Sequence, residues 1–457
     1  MSTGPDTTPT IRHPLRPLIA RTDLEGHRQA TWLELFFDLC FVVAIAALAR
    51  AFHGDATWEG AAIFVGLFVP LWWTWIAFTW FGNTFDNDDV VYRVTVFGGM
   101  LAIVWLASSA EAAAEGRGFA FALAYIVLQL LVLALNVRAR MHVPAHPDVG
   151  THDLIAGWIN RQMATVVIGL VPWVVSLFVD GTARYALWAA GLALHLMGPV
   201  LSLRVFEADQ GWHVEEHHTD RAKAAYGVAT SDEPLLPVTD IFHLDHIRER
   251  YGLFTIIVLG ESVLAVSIGI SEVGWNITAM LTASLAFLAA VSIWWTYFDR
   301  SGRDALTSGL GASFVWGYGH LAIFAGIAAL GVGTELMIEA AAAGAAEHAA
   351  DEEVVAAVHS GGLPGTAIFA GGAAAFWIGM TVINLANLGF RLTNVGRWFV
   401  PARLALAAVI IVLAFVDIDP LAFAAAAGGL MVALNAAETM AVYRFQKARA
   451  TAKGAPA

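Results

Sequence analysis

Cysteine is almost absent: Cys40 is the single one in 457 residues. One thiol permits no intrachain disulfide, no thiolate zinc cage and no redox pair. It stands inside an apolar run and reads as a small buried hydrophobe. Charge is scarce as well. Asp, Glu, Lys and Arg make up 14% of the chain, against about 25% in soluble globular proteins. The net charge of −13 identifies no partner until it is mapped onto loops. The first 31 residues also lack an apolar core. They carry Arg12, Arg16, Arg21 and Arg28 on a Pro- and Thr-rich stretch, and so read as a disordered basic arm rather than a cleavable signal. Nothing resembles a phosphate-cradling loop, a Ser-His-Asp order or a nucleic-acid surface. Nucleic acid is therefore not an expected partner, and no cofactor is expected.

What is present is apolar length. The chain is 58% hydrophobic, with 17 Trp and 27 Phe. A span needs about 20 apolar residues. Twelve segments qualify, near 32–52, 59–81, 91–110, 117–137, 163–180, 186–206, 251–271, 275–298, 311–338, 365–388, 398–416 and 420–443. The expected fold class is an all-α integral membrane protein of about 12 transmembrane helices, with the lipid bilayer as its first partner. With both termini in the cytoplasm, 22 of the 25 Lys and Arg face that side, and only Arg50, Arg117 and Arg184 lie outside. This asymmetry predicts that orientation, in a bacterial inner membrane. The acidic stretch 339–364, free of Lys and Arg, reads as a solvated, partly helical outer loop.

The chain repeats itself. FDLCFVVAI at 37–45 aligns with GESVLAVSI at 260–268, which sets Asp38 opposite Glu261. LWWTW at 71–75 then matches IWWTY at 293–297, and MLAI at 100–103 matches HLAI at 320–323. Three matches in order predict two six-helix repeats of the same orientation. The expected organisation is an arm over 1–31, repeats over 32–206 and 249–445, a cytoplasmic linker over 207–248 and a tail over 446–457. Pro70, Pro172 and Pro199 fall inside helical segments, where a kink accounts for each.

Two motifs carry a resemblance. TWLELFFDLCFVVAIAALA at 31–49 and ERYGLFTIIVLGESVLAV at 249–266 resemble the bacterial low-temperature-requirement protein A (LtrA) family, over about residues 25–445. That family name records a growth phenotype and not a chemistry, so the resemblance implies a polytopic inner-membrane protein without naming a substrate. More distantly, Phe36–Ile45 looks like the first-helix FSD motif of a potassium-channel family built from two six-helix repeats. Phe37 stands where that family has serine, and the second repeat has only LGES at 259–262. The likeness therefore implies architecture and not potassium selectivity.

Charged residues at membrane depth are the candidates for function, since each costs about 2.5–3.5 kcal/mol on insertion scales. Glu261 is the deepest, flanked by Gly260 and Ser262, which offer nearby oxygens. Asp38 lies four residues after Glu34, on one helical face. Thr31 and Glu34 fit a capping box, giving Glu34 a structural reading. If the repeats pack about their pseudo-axis, Asp38 and Glu261 face each other and serve a proton or cation relay. The rival reading neutralises each acid with a basic neighbour, Arg28 for the first helix and Arg248 or Arg250 for the seventh.

The other polar groups have plainer readings. Asn384 and Asn387 read as helix-to-helix glue. His320 reads as a polar pore or packing residue, and a haem on His195 and His320 is disfavoured because no paired helical histidines share a depth. Trp72, Trp73, Trp75, Trp294, Trp295 and Tyr297 read as interfacial anchors. His213, Glu216 and His217 match the inverted zinc-protease pattern, but they stand in a short polar linker with no soluble domain. His246 and Glu249, with His243, have helical spacing that suits a metal, yet no metal is predicted there.

Three functions stay open. The first is a transporter or channel for a small cation or proton, using Asp38 and Glu261. The second is a non-transporting sensor or low-temperature stress-adaptation factor. An intramembrane metal-dependent enzyme is the third and the least supported, so no enzyme activity is expected. A homo-oligomer remains compatible with all three.

Overall fold

A computed structural model of the chain describes residues 19–20, 30–86, 89–142, 149–217, 244–301, 310–347, 362–387 and 396–452. Among these, thirteen helices appear: α1 (Trp32–Gly54), α2 (Trp58–Thr84), α3 (Val90–Ser108), α4 (Ala110–Ala114), α5 (Phe119–His142), α6 (Val149–Ser176), α7 (Thr182–His217), α8 (Leu244–Val273), α9 (Ile277–Arg300), α10 (Leu310–Glu347), α11 (Gly365–Asn387), α12 (Gly396–Ala414) and α13 (Pro420–Ala452). Each of the twelve predicted segments falls on one of the long helices. Among the described residues, ten of these helices are long and apolar enough to cross a membrane, and α12 contributes a shorter apolar stretch, Trp398–Ala414. The protein is an all-α, multi-pass membrane protein. Leu101, Val412 and Phe415 are among many large apolar side chains on its outer surface, where lipid replaces water.

Polar caps start several helices. Thr31 accepts the Glu34 N–H while the Glu34 carboxylate accepts from the Thr31 backbone at 2.7 Å, which closes the expected capping box. Thr57 caps α2, Asp89 caps α3 and Asn276 caps α9. A two-residue strand, Ile19–Ala20, pairs antiparallel with Phe85–Asp86, so the arm expected to be unstructured touches the end of α2.

α1 packs on α2 and α3, α3 on α5, α5 on α6, and α6 on α7. Likewise α8 packs on α9 and α10, α10 on α11, α11 on α12, and α12 on α13. The two groups meet where α1 lies against both α8 and α10. α10 and α11 approach closest. A Cβ at Gly333 would stand 2.3 Å from the Phe369 nitrogen, and one at Gly372 2.5 Å from the Gly326 oxygen. Small residues let these backbones touch, the usual device where lipid provides no hydrophobic drive.

Two boundaries differ from the sequence reading. α10 continues through Glu347, so the helical part of the 339–364 stretch is an extension of the spanning helix past residue 338, and residues 348–361 lie outside the described set. The helix of α7 continues to His217, into the stretch expected to be linker. A third difference concerns the tryptophans. Trp72, Trp73 and Trp75 are buried at 1%, 3% and 0% exposure and are core residues, not interfacial anchors. α2 sits inside the bundle, so its aromatic face meets protein: Trp75 stacks on Phe254 at 4.3 Å. Trp294 and Trp295 remain half-exposed, whereas Tyr297 is buried.

Candidate functional site

α1, α8 and α10 run side by side in the same direction. Ser262 donates to the Ile327 carbonyl at 3.3 Å, Gly331 abuts Glu261 and Ala265, and Gly269 abuts Ile338. Phe41 and Phe254 meet edge-on, 6.0 Å apart, between α1 and α8. Titratable side chains gather at three levels of this seam.

At the level where α1 and α8 begin, Arg250 donates to Asp38 Oδ1 at 2.6 Å and lies 3.3 Å from Glu34 Oε1. Trp75 Nε1 also donates to Asp38 Oδ1, at 2.8 Å. His246 Nε2 lies 3.5 Å from Glu34 Oε2, and its Nδ1 is 3.1 Å from Asn83 Oδ1. Asp38, Glu34, Arg250 and His246 are all buried. The cluster is an ion-pair network joining α1 to α8, with two carboxylates sharing one guanidinium. Such a network barely repays its desolvation, but loss of one partner strands the other.

Glu261 and Ser262 form the middle level. Glu261 lies eleven residues after Arg250 on a continuous helix, about 16 Å further along at 1.5 Å per residue. Asp38 and Glu261 therefore occupy different levels and do not face each other, contrary to the paired-carboxylate expectation. The neutralising partner of Asp38 is Arg250, from the second half of the sequence. Glu261 is 7% exposed, and its Oε2 atom has no hydrogen-bond partner. Arg50 and Glu335 lie within its electrostatic reach. The backbone near Gly260 stays in the helical ladder, so it offers no unwound carbonyl.

At the third level, the last turn of α1 sets His53 opposite Glu335 and Glu339, one turn apart on α10. His53 Nε2 is 3.0 Å from Glu339 Oε1 and 3.8 Å from Glu335 Oε1. In the sequence Glu335 lies inside the apolar segment 311–338, but Glu339 falls in the stretch read as a solvated, partly helical loop. The signal that finds this level is the i,i+4 spacing in ELMIE at 335–339, once the helix is extended.

A model of one family, the bacterial low temperature requirement A protein (LtrA), matches residues 29–437, which contain all three levels. The chain belongs to the LtrA family. It is also similar to the uncharacterized protein RA0937 of Rhizobium meliloti (strain 1021), with 27% identity over 334 residues, 70% of this chain and 72% of that one. No solved structure matches.

Of the remaining candidates in this LtrA protein, His320 and Glu249 belong to none of the three levels. His320 is fully buried, and both ring nitrogens are used: 2.8 Å from the Trp316 carbonyl and 3.0 Å from the Tyr297 hydroxyl. A carbonyl only accepts, so Nδ1 carries the hydrogen and Nε2 accepts from Tyr297. With Tyr251, Trp316 and Phe324 around it, His320 is a packing residue. His246 and Glu249 do not converge. Glu249 accepts from the Ala30 N–H at 3.4 Å and lines a cavity of about 520 Å³ with Asp245 and Arg248, whereas His246 is buried beside Asn83. Arg28, His218 and His243 lie outside the described residues, and the side chains of His213, Glu216 and His217 are not described.

Elsewhere in the bundle, Arg403 grips Glu438 through two bonds, at 2.7 and 2.8 Å. Asn435 bonds Ser292 at 2.8 and 2.6 Å and also Thr296, which makes it helix-to-helix glue.

Proposed function

We propose that this LtrA-family protein moves a proton or small cation along the seam of α1, α8 and α10, with Glu261 as its central relay group. The single observation behind this reading is the state of Glu261: buried at mid-seam, with one carboxylate oxygen unpartnered and no ion pair among the described residues, whereas Asp38, whose Oδ2 is also unpartnered, is held by Arg250 through Oδ1. A buried structural carboxylate normally has its lone pairs satisfied. An unsatisfied one at membrane depth is the group expected to take a proton or cation. Glu335 and Glu339 continue the acidic track to one end of the seam.

In this reading the Asp38–Arg250 cluster closes the opposite end and holds the two halves together. The halves are duplicated six-helix repeats, supported by the matching order in which their helices pack. Both termini face the cytoplasm of a bacterium, supported by the 22-to-3 distribution of Lys and Arg. No enzymatic step is involved.

A second reading is a non-transporting sensor or stress-adaptation factor acting through partners or lipids. It is favoured by the fully buried pairing of Asp38, which has the character of a structural lock. Purified protein in liposomes separates the two. Transport predicts proton or cation flux above empty liposomes under an imposed gradient. A protein that is folded yet passes neither protons nor a panel of cations is a sensor.

A further inference from the structure

His53, Glu335 and Glu339 come from two helices far apart in sequence, yet their ligand atoms all lie within 4.8 Å of one another. The His53 nitrogen is 3.0 and 3.8 Å from the two nearest carboxylate oxygens. A tetrahedral ion with bonds of about 2.1 Å holds its ligands about 3.4 Å apart. One imidazole and two carboxylates neutralise a divalent charge. The nitrogen favours first-row transition metals over magnesium and calcium.

A second feature points the same way. The Glu261 carboxylate is more than nine-tenths buried, with an unpartnered oxygen, and it lies within electrostatic reach of Glu335. Gly331, which lies against the Glu261 backbone, is one turn before Glu335 on α10, so Glu261 sits at the level next to the three ligands. Glu272 adds a further negative charge near His53, and Arg50 is the basic group felt by Glu261 and Glu335. Three carboxylates, Glu335, Glu339 and Glu272, thus act on the one imidazole. That excess of negative charge at the end of an apolar bundle calls for a cation.

We propose that His53, Glu335 and Glu339 bind one divalent transition-metal ion of the zinc or manganese type at this end of the seam. The α10 pair supplies two carboxylate oxygens from successive turns, and the end of α1 supplies the imidazole. The ion therefore ties α1 to α10 where the two helices leave the bundle core. Binding is an equilibrium property and does not depend on transport.

The test is calorimetric titration of Zn²⁺ into purified full-length protein in nanodiscs, repeated with Mn²⁺. The expected result is one saturable site per chain, weakened at least tenfold in His53→Gln and in Glu339→Gln. Both variants should keep the metal-free melting temperature, and metal should raise that temperature in the parent alone. Glu261→Gln should bind as the parent does, so a failed flux assay leaves this result intact. No saturable binding, or equal binding in both ligand variants, overturns the proposal. So does a site that disappears only when His213, His217 and His218 are replaced by alanine.

Discussion

Arg250 of α8 donates to Asp38 of α1 at 2.6 Å, although 212 residues separate them in the chain. Neither charge touches solvent, and Glu34 lies 3.3 Å from the same guanidinium. Removing Arg250 strands two buried carboxylates. Arg250→Leu should therefore destabilise the protein by about 3–5 kcal/mol. Thermal unfolding in detergent reads this, and Arg250→Leu with Asp38→Asn should recover part of the loss. Additive losses in the double variant would mean that the two side chains are not coupled.

Glu261 predicts the opposite pattern. Its Oε2 makes no bond, so Glu261→Gln removes a costly charge and breaks little. Its melting temperature should match or exceed the parent's. A fall comparable to that of Arg250→Leu would instead make Glu261 a structural acid.

Arg403 and Glu438 form a second buried lock, between α12 and α13, with Arg300 3.3 Å from the same carboxylate. Arg403→Lys keeps the charge but loses the two-pronged geometry and the contact over Trp377. A loss of about 1–3 kcal/mol is expected, because a charged hydrogen bond of roughly that worth is forfeited. Comparing unfolding of the lysine and alanine variants checks it: lysine should fall between alanine and parent.

The seam also depends on the close approach of α10 to α11. A Cβ at Gly333 would meet the Phe369 backbone at 2.3 Å, and a backbone cannot swing aside as a side chain can. Gly333→Ala should cost about 1–3 kcal/mol by overpacking. Gly331→Ala, whose Cβ meets nothing nearer than 3.5 Å, should be tolerated. Expression and unfolding of the two variants provide the comparison.

Much of this architecture can be read from residue patterns because the bilayer imposes it. Runs such as LFFDLCFVVAIAALA have few alternatives to a spanning helix, and Thr31 with Glu34 marks where the first one starts. Glu261 stands out for the same reason: an acid inside an apolar run has no cheap explanation. Its partners are another matter. The internal alignment matches Asp38 to Glu261, but matched positions in two repeats need not share a depth. Arg250 reaches Asp38 because α1 and α8 lie alongside each other with their starting ends together, which no pattern in either segment encodes. Trp72, Trp73 and Trp75 mislead because an aromatic near a helix end looks like an anchor until the helix proves central. His53 and Glu339 escape notice because one ends α1 and the other follows a run that resembles the start of a loop.

The central claim is that Glu261 carries the transported charge. It is tested most directly by flux through liposomes holding equal amounts of folded parent and Glu261→Gln protein, under the same proton or cation gradient. The account predicts clear flux for the parent and a loss to the level of empty liposomes for Glu261→Gln, with both proteins equally stable. Parent-like flux through Glu261→Gln would contradict it.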